Sequence, residues 1–273
     1  MSDALVFLVT GCASGIGKHL AGAITRRGHQ LVATDVNSAG LEAAAKEGGW
    51  GERAVLHPLD VRDEQAWEAA LRKALERFGK VDVLLNVAGY LKPGYSHQLD
   101  AAEVDRHFDI NAKGVVHGVR VLGRHFVAQK KGQIINIGSL ASLTPVPGLC
   151  LYSASKYAVR GFTLAAAQEL KPHGVKVTLV MPDAVQTPML DLQVNYDEAA
   201  MTFSGPRPLT VEELEHAILD VALPKAPLEL ALPFGRGALA RLSTFLPAAV
   251  VGLAPLFTRR GLKKQAALKG KGS

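Results

Sequence analysis

Cysteine is scarce in this chain: Cys12 and Cys150 are the only two in 273 residues, far apart and without metal-ligand spacing. That excludes a disulfide-stapled scaffold and a cysteine-built zinc site, and fits reduced thiols in a cytoplasmic protein. A membrane-crossing run is also lacking. The charge-free residues 242–257 number sixteen and contain Pro247 and Pro255, whereas a spanning helix needs about 20 apolar residues. No secretory leader is expected at the start, because Met1, Ser2 and Asp3 form no basic stretch and apolar residues 4–9 run straight into a glycine motif. Nine histidines show no metal pattern: His117 and His125 lie eight apart with no carboxylate to join them, so no metal site is expected. Acidic residues are missing altogether from 235–273, which hold eight Lys or Arg. The first 234 residues therefore carry 23 cations against 25 anions, a net of −2, out of a total of +6. The basic pI belongs to the tail, and a nucleic-acid-binding body is not expected.

What is present is an alternation of short apolar runs and helical patterns, the signature of βαβ units and a parallel sheet. Strands are expected at 4–9, 30–34, 53–59, 81–86, 133–137, 175–180 and 228–232. Helices are expected at 15–27, 38–47, 63–78, 101–129 and 151–171. Asp63 suits the N-cap of the third helix and Gly79 its stop. The fold class is α/β, a doubly wound parallel sheet of the Rossmann kind. It forms a single domain over residues 1–234, followed by an apolar and basic extension, 235–273.

Two motifs carry chemistry. Thr10-Gly11 followed by Ser14-Gly15-Ile16-Gly17 sits between an expected strand and an expected helix, the setting of a dinucleotide fingerprint. Small residues let the backbone approach a pyrophosphate, and a helix N-terminus favours its charge. Asp35 ends strand two, eighteen residues after Gly17; a carboxylate there accepts hydrogen bonds from ribose hydroxyls and repels a 2′-phosphate. NAD is therefore the expected cofactor, with NADP as the alternative. Further on, Tyr152 and Lys156 lie four apart on an expected helix and point the same way. An ammonium beside a phenol favours phenolate, which would let the tyrosine act as acid or base.

With these motifs the chain resembles the short-chain dehydrogenase/reductase family, of its compact type, from about residue 4 to about residue 190. The matching positions are Gly11, Gly15 and Gly17; Asp60-Val61; Asn86-Val87-Ala88-Gly89; Asn111; Ser139; Tyr152 and Lys156; and Pro182 followed by Thr187. The resemblance implies a catalytic set. Tyr152 would exchange a proton with the substrate oxygen, and Ser139 would hydrogen-bond the same oxygen. Lys156 would hold the nicotinamide ribose and lower the Tyr152 pKa, and Asn111 would anchor a water that relays protons to Lys156. It also implies cofactor contacts: Asp60 and Val61 beside the adenine, Asn86, Ala88 and Gly89 along the cofactor, and Pro182, Val185 and Thr187 near the nicotinamide. One departure stands out. Asp183 follows Pro182 where the family often has glycine. A homodimer or homotetramer is expected by resemblance, through the helix at 101–129 and the Tyr152 helix.

The substrate side is less determined. Residues 189–221 should form a lid, and Met189, Leu190, Leu192, Val194, Tyr196, Met201 and Phe203 make it apolar, which suits a small lipophilic substrate. The expected activity is hydride transfer between a secondary alcohol or ketone and the dinucleotide. The alternatives are an NADPH-linked reductase of a long-chain 3-oxo lipid, similar to a 3-ketosphinganine, and a non-catalytic dinucleotide sensor or scaffold. Two readings of the extension stay open. It could lie on a membrane surface through residues 238–271, as two short amphipathic pieces with cations on anionic lipid. It could instead pack across the substrate cleft or a neighbouring subunit.

Overall fold

Five consecutive buried residues, Val6–Thr10, form strand β1 in the interior of the sheet. A strand apolar on both faces belongs in a parallel sheet covered by helices on either side. The computed structural model describes residues 4–270; residues 1–3 and 271–273, including Met1, Ser2, Asp3 and the basic Lys271, lie outside the described residues. The other strands are β2 (Gln30–Asp35), β3 (Ala54–Pro58), β4 (Val83–Asn86), β5 (Gly132–Ile137), β6 (Val175–Pro182) and β7 (Glu229–Leu232). They form one seven-stranded sheet in the order β3-β2-β1-β4-β5-β6-β7, every pair parallel. The α/β doubly wound Rossmann-like fold is thus the observed one. Winding runs outward from β1 to β3 and resumes at β4 on the other side. The crevice at the carboxyl ends of β1 and β4 is where such sheets bind ligands.

Helices α1 (Gly15–Arg26) and α2 (Ser38–Gly48) cover one face, burying Leu20, Ile24 and Leu41 against Phe7, Val9 and Leu31. Helices α3 (Glu64–Phe78), α4 (Ala101–Phe108), α5 (Gly114–Gln129) and α6 (Cys150–Leu170) follow. On the second face Trp67, Leu122, Phe126 and Val159 pack with Leu8, Leu84 and Ile134. Asp63 caps α3, accepting from the Gln65 N–H at 2.8 Å, and Gly79 ends it in the left-handed conformation. The helix expected over 101–129 is continuous but contains a π turn, Asp109–Lys113, between α4 and α5.

Beyond β6 the chain forms α7 (Pro188–Val194), a 3-10 segment (Asp197–Ser204), α8 (Val211–Glu215), a π turn (His216–Ala222) and α9 (Leu223–Lys225). This corrects the expected lid over 189–221. Residues up to Ser204 reach the pocket described below. Leu214, Ile218, Leu219 and Ala222 instead join the core beneath α1, because their apolar spacing serves the sheet face.

The extension is a helical hairpin, α10 (Phe234–Ser243) and α11 (Pro247–Lys269). Pro247 occupies the first turn of α11, where no N–H is needed. Pro255 lies inside the helix without ending it, so the two short pieces expected from these prolines are one helix of 23 residues. The carbonyl that Pro255 leaves without a donor is that of Val251, on a turn open to water. The second half of α11 grips the lid. Gly261 is buried against the Ala200 carbonyl, where any Cβ would collide. The Gln265 amide donates to the carbonyls of Gln193 (2.9 Å), Val194 (3.1 Å) and Tyr196 (2.6 Å).

Candidate active site

The glycine loop joins β1 to α1 at the crevice. Gly11 has φ +75°, and a Cβ there would come within 3.0 Å of the Ala88 Cα, so both backbone angle and space demand glycine. A Cβ at Gly17 would run into the Gly11 carbonyl. Thr10 ties the two strand ends together, its hydroxyl accepting from the N–H groups of Val87 and Ala88 at 3.0 Å each. Asp35 ends β2, its carboxylate accepting from the Ala13 N–H and the Asn37 N–H at 2.9 Å each. Gly15, Ser14 and Ile16 open α1, with Ser14 at the N-cap. The cradle therefore fits a dinucleotide: close backbone approach, a helix N-terminus, and a carboxylate at the end of the second strand.

Three expected cofactor residues have partners within the chain. Asp60 is paired with Arg62 at 2.6 Å. Val61 packs on α5 at Gly114 and accepts from the Trp67 indole at 3.0 Å. Asn86 is buried and donates to Asn136 at 2.8 Å. Asn136 in turn donates to Thr163 on α6 at 3.0 Å, and Thr163 to the Val159 carbonyl at 2.6 Å. This polar ladder fixes α6 on the sheet. Sequence reasoning missed Asn136 and Thr163, because contacts fifty and twenty-seven residues distant leave no local pattern.

Helix α6 presents Tyr152 and Lys156 to the crevice. Lys156 is 4% exposed and donates to the Ile137 carbonyl at 2.9 Å. Its Nζ lies 5.6 Å from the centroid of the Tyr152 ring. Ser139 begins a 3-10 turn after β5 and accepts from the Ala141 N–H at 3.1 Å. Burial pushes the Tyr152 phenol up to about 12, while its hydrogen bond with Ser139 pulls the other way. Burial also draws Lys156 down to about 8. Burial dominates at the phenol, which keeps partial access through the pocket.

Asn111 sits in the π turn and is fully buried. Its side chain accepts from the Tyr90 N–H at 2.7 Å and donates to the Tyr90 carbonyl and the Ser155 hydroxyl, each at 2.9 Å. Ser155, unrecognised in the sequence, donates to the Tyr152 carbonyl at 2.8 Å. A side chain at Gly89 would meet Asn111 Oδ1 at 3.5 Å and Lys156 Nζ at 3.9 Å, so the two groups flank that glycine.

Ser139, Tyr152, Lys156, Gly89, Pro182, Val185 and Thr187 line one cavity of about 420 Å³. Met189, Leu190 and Met201 cover it from the lid, and Leu242, Leu246, Leu253 and Phe257 wall it from the extension. A larger cleft of about 750 Å³, lined by Gln186, Thr187, Arg207 and Lys264 among others, adjoins it. That cleft contains none of Ser139, Tyr152 or Lys156, so the chemistry belongs to the smaller cavity. Asp183 forms an ion pair with Arg236 of α10. Its carboxyl is nonetheless raised, because burial outweighs the guanidinium. Cys12 is buried and its thiol pushed well up, an inert packing group.

Fold and site define a nucleotide-binding α/β oxidoreductase. The profile of the short chain dehydrogenase family matches residues 5–197. Cyclopentanol dehydrogenase of a Comamonas species is 34% identical over 202 residues, 74% of this chain and 81% of the relative. The structure of a 3-ketoacyl-(acyl-carrier-protein) reductase from Brucella melitensis, complexed with NADH, superposes with a TM-score of 0.77 at 30% identity, over 86% of this chain and 99% of the other. ElxO with NADP bound shares the fold at 23% identity, with a TM-score of 0.76 over 84% of this chain and 97% of the other. The chain belongs to the short-chain dehydrogenase/reductase family. It is an NAD(P)-dependent oxidoreductase acting on alcohols or ketones.

Proposed function

We propose that the protein interconverts a secondary alcohol and a ketone on a lipophilic molecule, with NAD(H) preferred over NADP(H). The carrying observation is the single cavity in which Ser139 and Tyr152 meet a wall of Leu242, Leu246, Leu253 and Phe257. Two hydroxyls at one end can bind one substrate oxygen, and the rest of the cavity offers apolar contact.

Gly11, Ser14, Gly15, Ile16 and Gly17 would hold the dinucleotide at its pyrophosphate, Asp35 at the adenosine ribose, Lys156 at the other ribose, and Val185 and Thr187 at the nicotinamide. When bound, the nicotinamide supplies or accepts the hydride. Tyr152, protonated at neutral pH, donates to the oxygen as a ketone is reduced and receives a proton as an alcohol is oxidised. Ser139 shares the developing charge. Asn111 and Lys156 on either side of Gly89 would hold the water that returns the proton to Tyr152. The NAD preference rests on Asp35, whose carboxylate repels a 2′-phosphate; no basic residue stands at Ser14 or Val36 to offset it. The exposed small residues Ala154, Ala158, Gly161 and Ala165 of α6 suit a homodimer or homotetramer contact.

The test is binding of NAD(H) against NADP(H) to the purified protein, followed by nicotinamide absorbance with steroid, long-chain and short-chain alcohols and ketones. Tight NAD(H) binding with turnover of the lipophilic members is expected. Turnover confined to short polar substrates would overturn the lipophilic assignment, and preference for NADP(H) would overturn the role of Asp35.

A further inference from the structure

Helices α10 and α11 turn one face to the cavity and leave another, also apolar, in water. Phe234, Phe245, Val251 and Leu256 are 83%, 80%, 73% and 65% exposed, and none of them lines the cavity. Single exposed apolar residues are ordinary, but several large ones along one helical hairpin point to a contact surface. Cations follow directly. Arg259, Arg260 and Lys263 are exposed, and among the described residues none of the three makes an ion pair. The remaining cations of the hairpin are occupied: Arg236 with Asp183, Arg241 with Glu229, Lys264 with the Gly205 and Pro206 carbonyls, and Lys269 with Asp197. No acidic residue occurs from 235 onward.

We infer that this hairpin docks on an anionic lipid bilayer, its apolar residues in the interface and Arg259, Arg260 and Lys263 on the headgroups. Charge decides between occupants. A second copy of the chain, meeting this one about a two-fold axis, would bring the same uncompensated cations against themselves. An anionic bilayer supplies both an apolar layer and the opposite charge. Among the described residues no helix is long and apolar enough to cross a membrane, so the contact is at the surface. Leu242, Leu246 and Leu253 belong to both the exposed hairpin and the cavity wall, so docking brings the cavity beside the lipid. That last consequence rests on the lipophilic-substrate reading; the docking itself does not.

The test is sedimentation of the full-length protein with vesicles of phosphatidylcholine alone and of phosphatidylcholine mixed with phosphatidylglycerol. It involves no turnover, so its failure leaves the proposed reaction standing. Binding to the mixed vesicles is expected, weakened by added salt. Joint Phe245→Ser and Leu256→Ser should weaken it at least ~10-fold with dinucleotide binding unchanged. Joint Arg260→Glu and Lys263→Glu should abolish the preference for anionic vesicles. Failure of the parent protein to sediment with the mixed vesicles, or binding indifferent to both variants, overturns the proposal. A dimer in light scattering that Phe245→Ser dissociates would likewise overturn it, assigning the face to a second copy.

Discussion

Lys156→Met should make the ligand-free protein more stable while destroying its activity. Lys156 is 4% exposed, has no carboxylate partner among the described residues, and donates to the Ile137 carbonyl. Burial draws its pKa from the usual 10.5 to about 8, so the fold disfavours the ammonium by roughly 3 kcal/mol. The unfolded chain keeps the proton up to the higher value and the folded chain only up to the lower one. The penalty is therefore complete below about pH 8 and disappears as pH climbs through the unfolded value. Methionine of similar length removes the charge but gives up one hydrogen bond, worth about 1 kcal/mol. The net expectation is a gain of about 2 kcal/mol at pH 7 that shrinks as pH rises and gives way to a small loss by about pH 10.5, where only the missing hydrogen bond is felt. Urea unfolding of parent and variant at both pH values measures it. A variant equally or less stable at pH 7, or a gain that does not change with pH, would refute the reasoning.

Tyr152→Phe should keep the fold and dinucleotide binding and lower turnover by at least ~10²-fold; near-normal turnover would remove Tyr152 from the chemistry. Asp35→Ala should raise NADP affinity relative to NAD, read by titration of both, and an unchanged ratio would dismiss the carboxylate as the discriminator. Gly261→Val would force a side chain into the Ala200 carbonyl. It should cost about 1–3 kcal/mol in thermal unfolding and raise KM for long apolar ketones more than for short ones.

Elements whose signals are local were legible in the sequence. The buried runs of β1, β2 and β5, the Gly11–Gly17 loop and the Asp63 and Gly79 ends of α3 are each written within a few residues. The spacing of Ser139, Tyr152 and Lys156 survived into one cavity because a strand end and one helix carry all three. The rest depended on distant partners. Asn136 and Thr163 matter only through Asn86. The pairing of Asp183 with Arg236 joins a loop to a helix fifty-three positions later. Pro255 read as a break because a window along the chain cannot show that its unmatched carbonyl faces water. The burial that raises the Tyr152 phenol was hidden for a similar reason: a neighbouring cation is visible in sequence, and the density of packing around a phenol is not.

The polar ladder and the glycine loop stand on the first 182 residues, whereas the cavity wall joins the lid and hairpin of residues 189–257 to earlier residues such as Leu91, Leu140, Val146 and Leu149. One side of the substrate wall is thus written in a stretch separate from the cofactor loop. Substitutions at Leu246 or Phe257 should combine additively with substitutions at Gly17 or Asp35, because no shared partner couples them. Such a chain can drift from one substrate to another by changing its later residues while the earlier ones stay fixed. A hybrid that takes residues 1–188 from here and the remainder from a relative would inherit its cofactor loop from one parent and a cavity wall built from both.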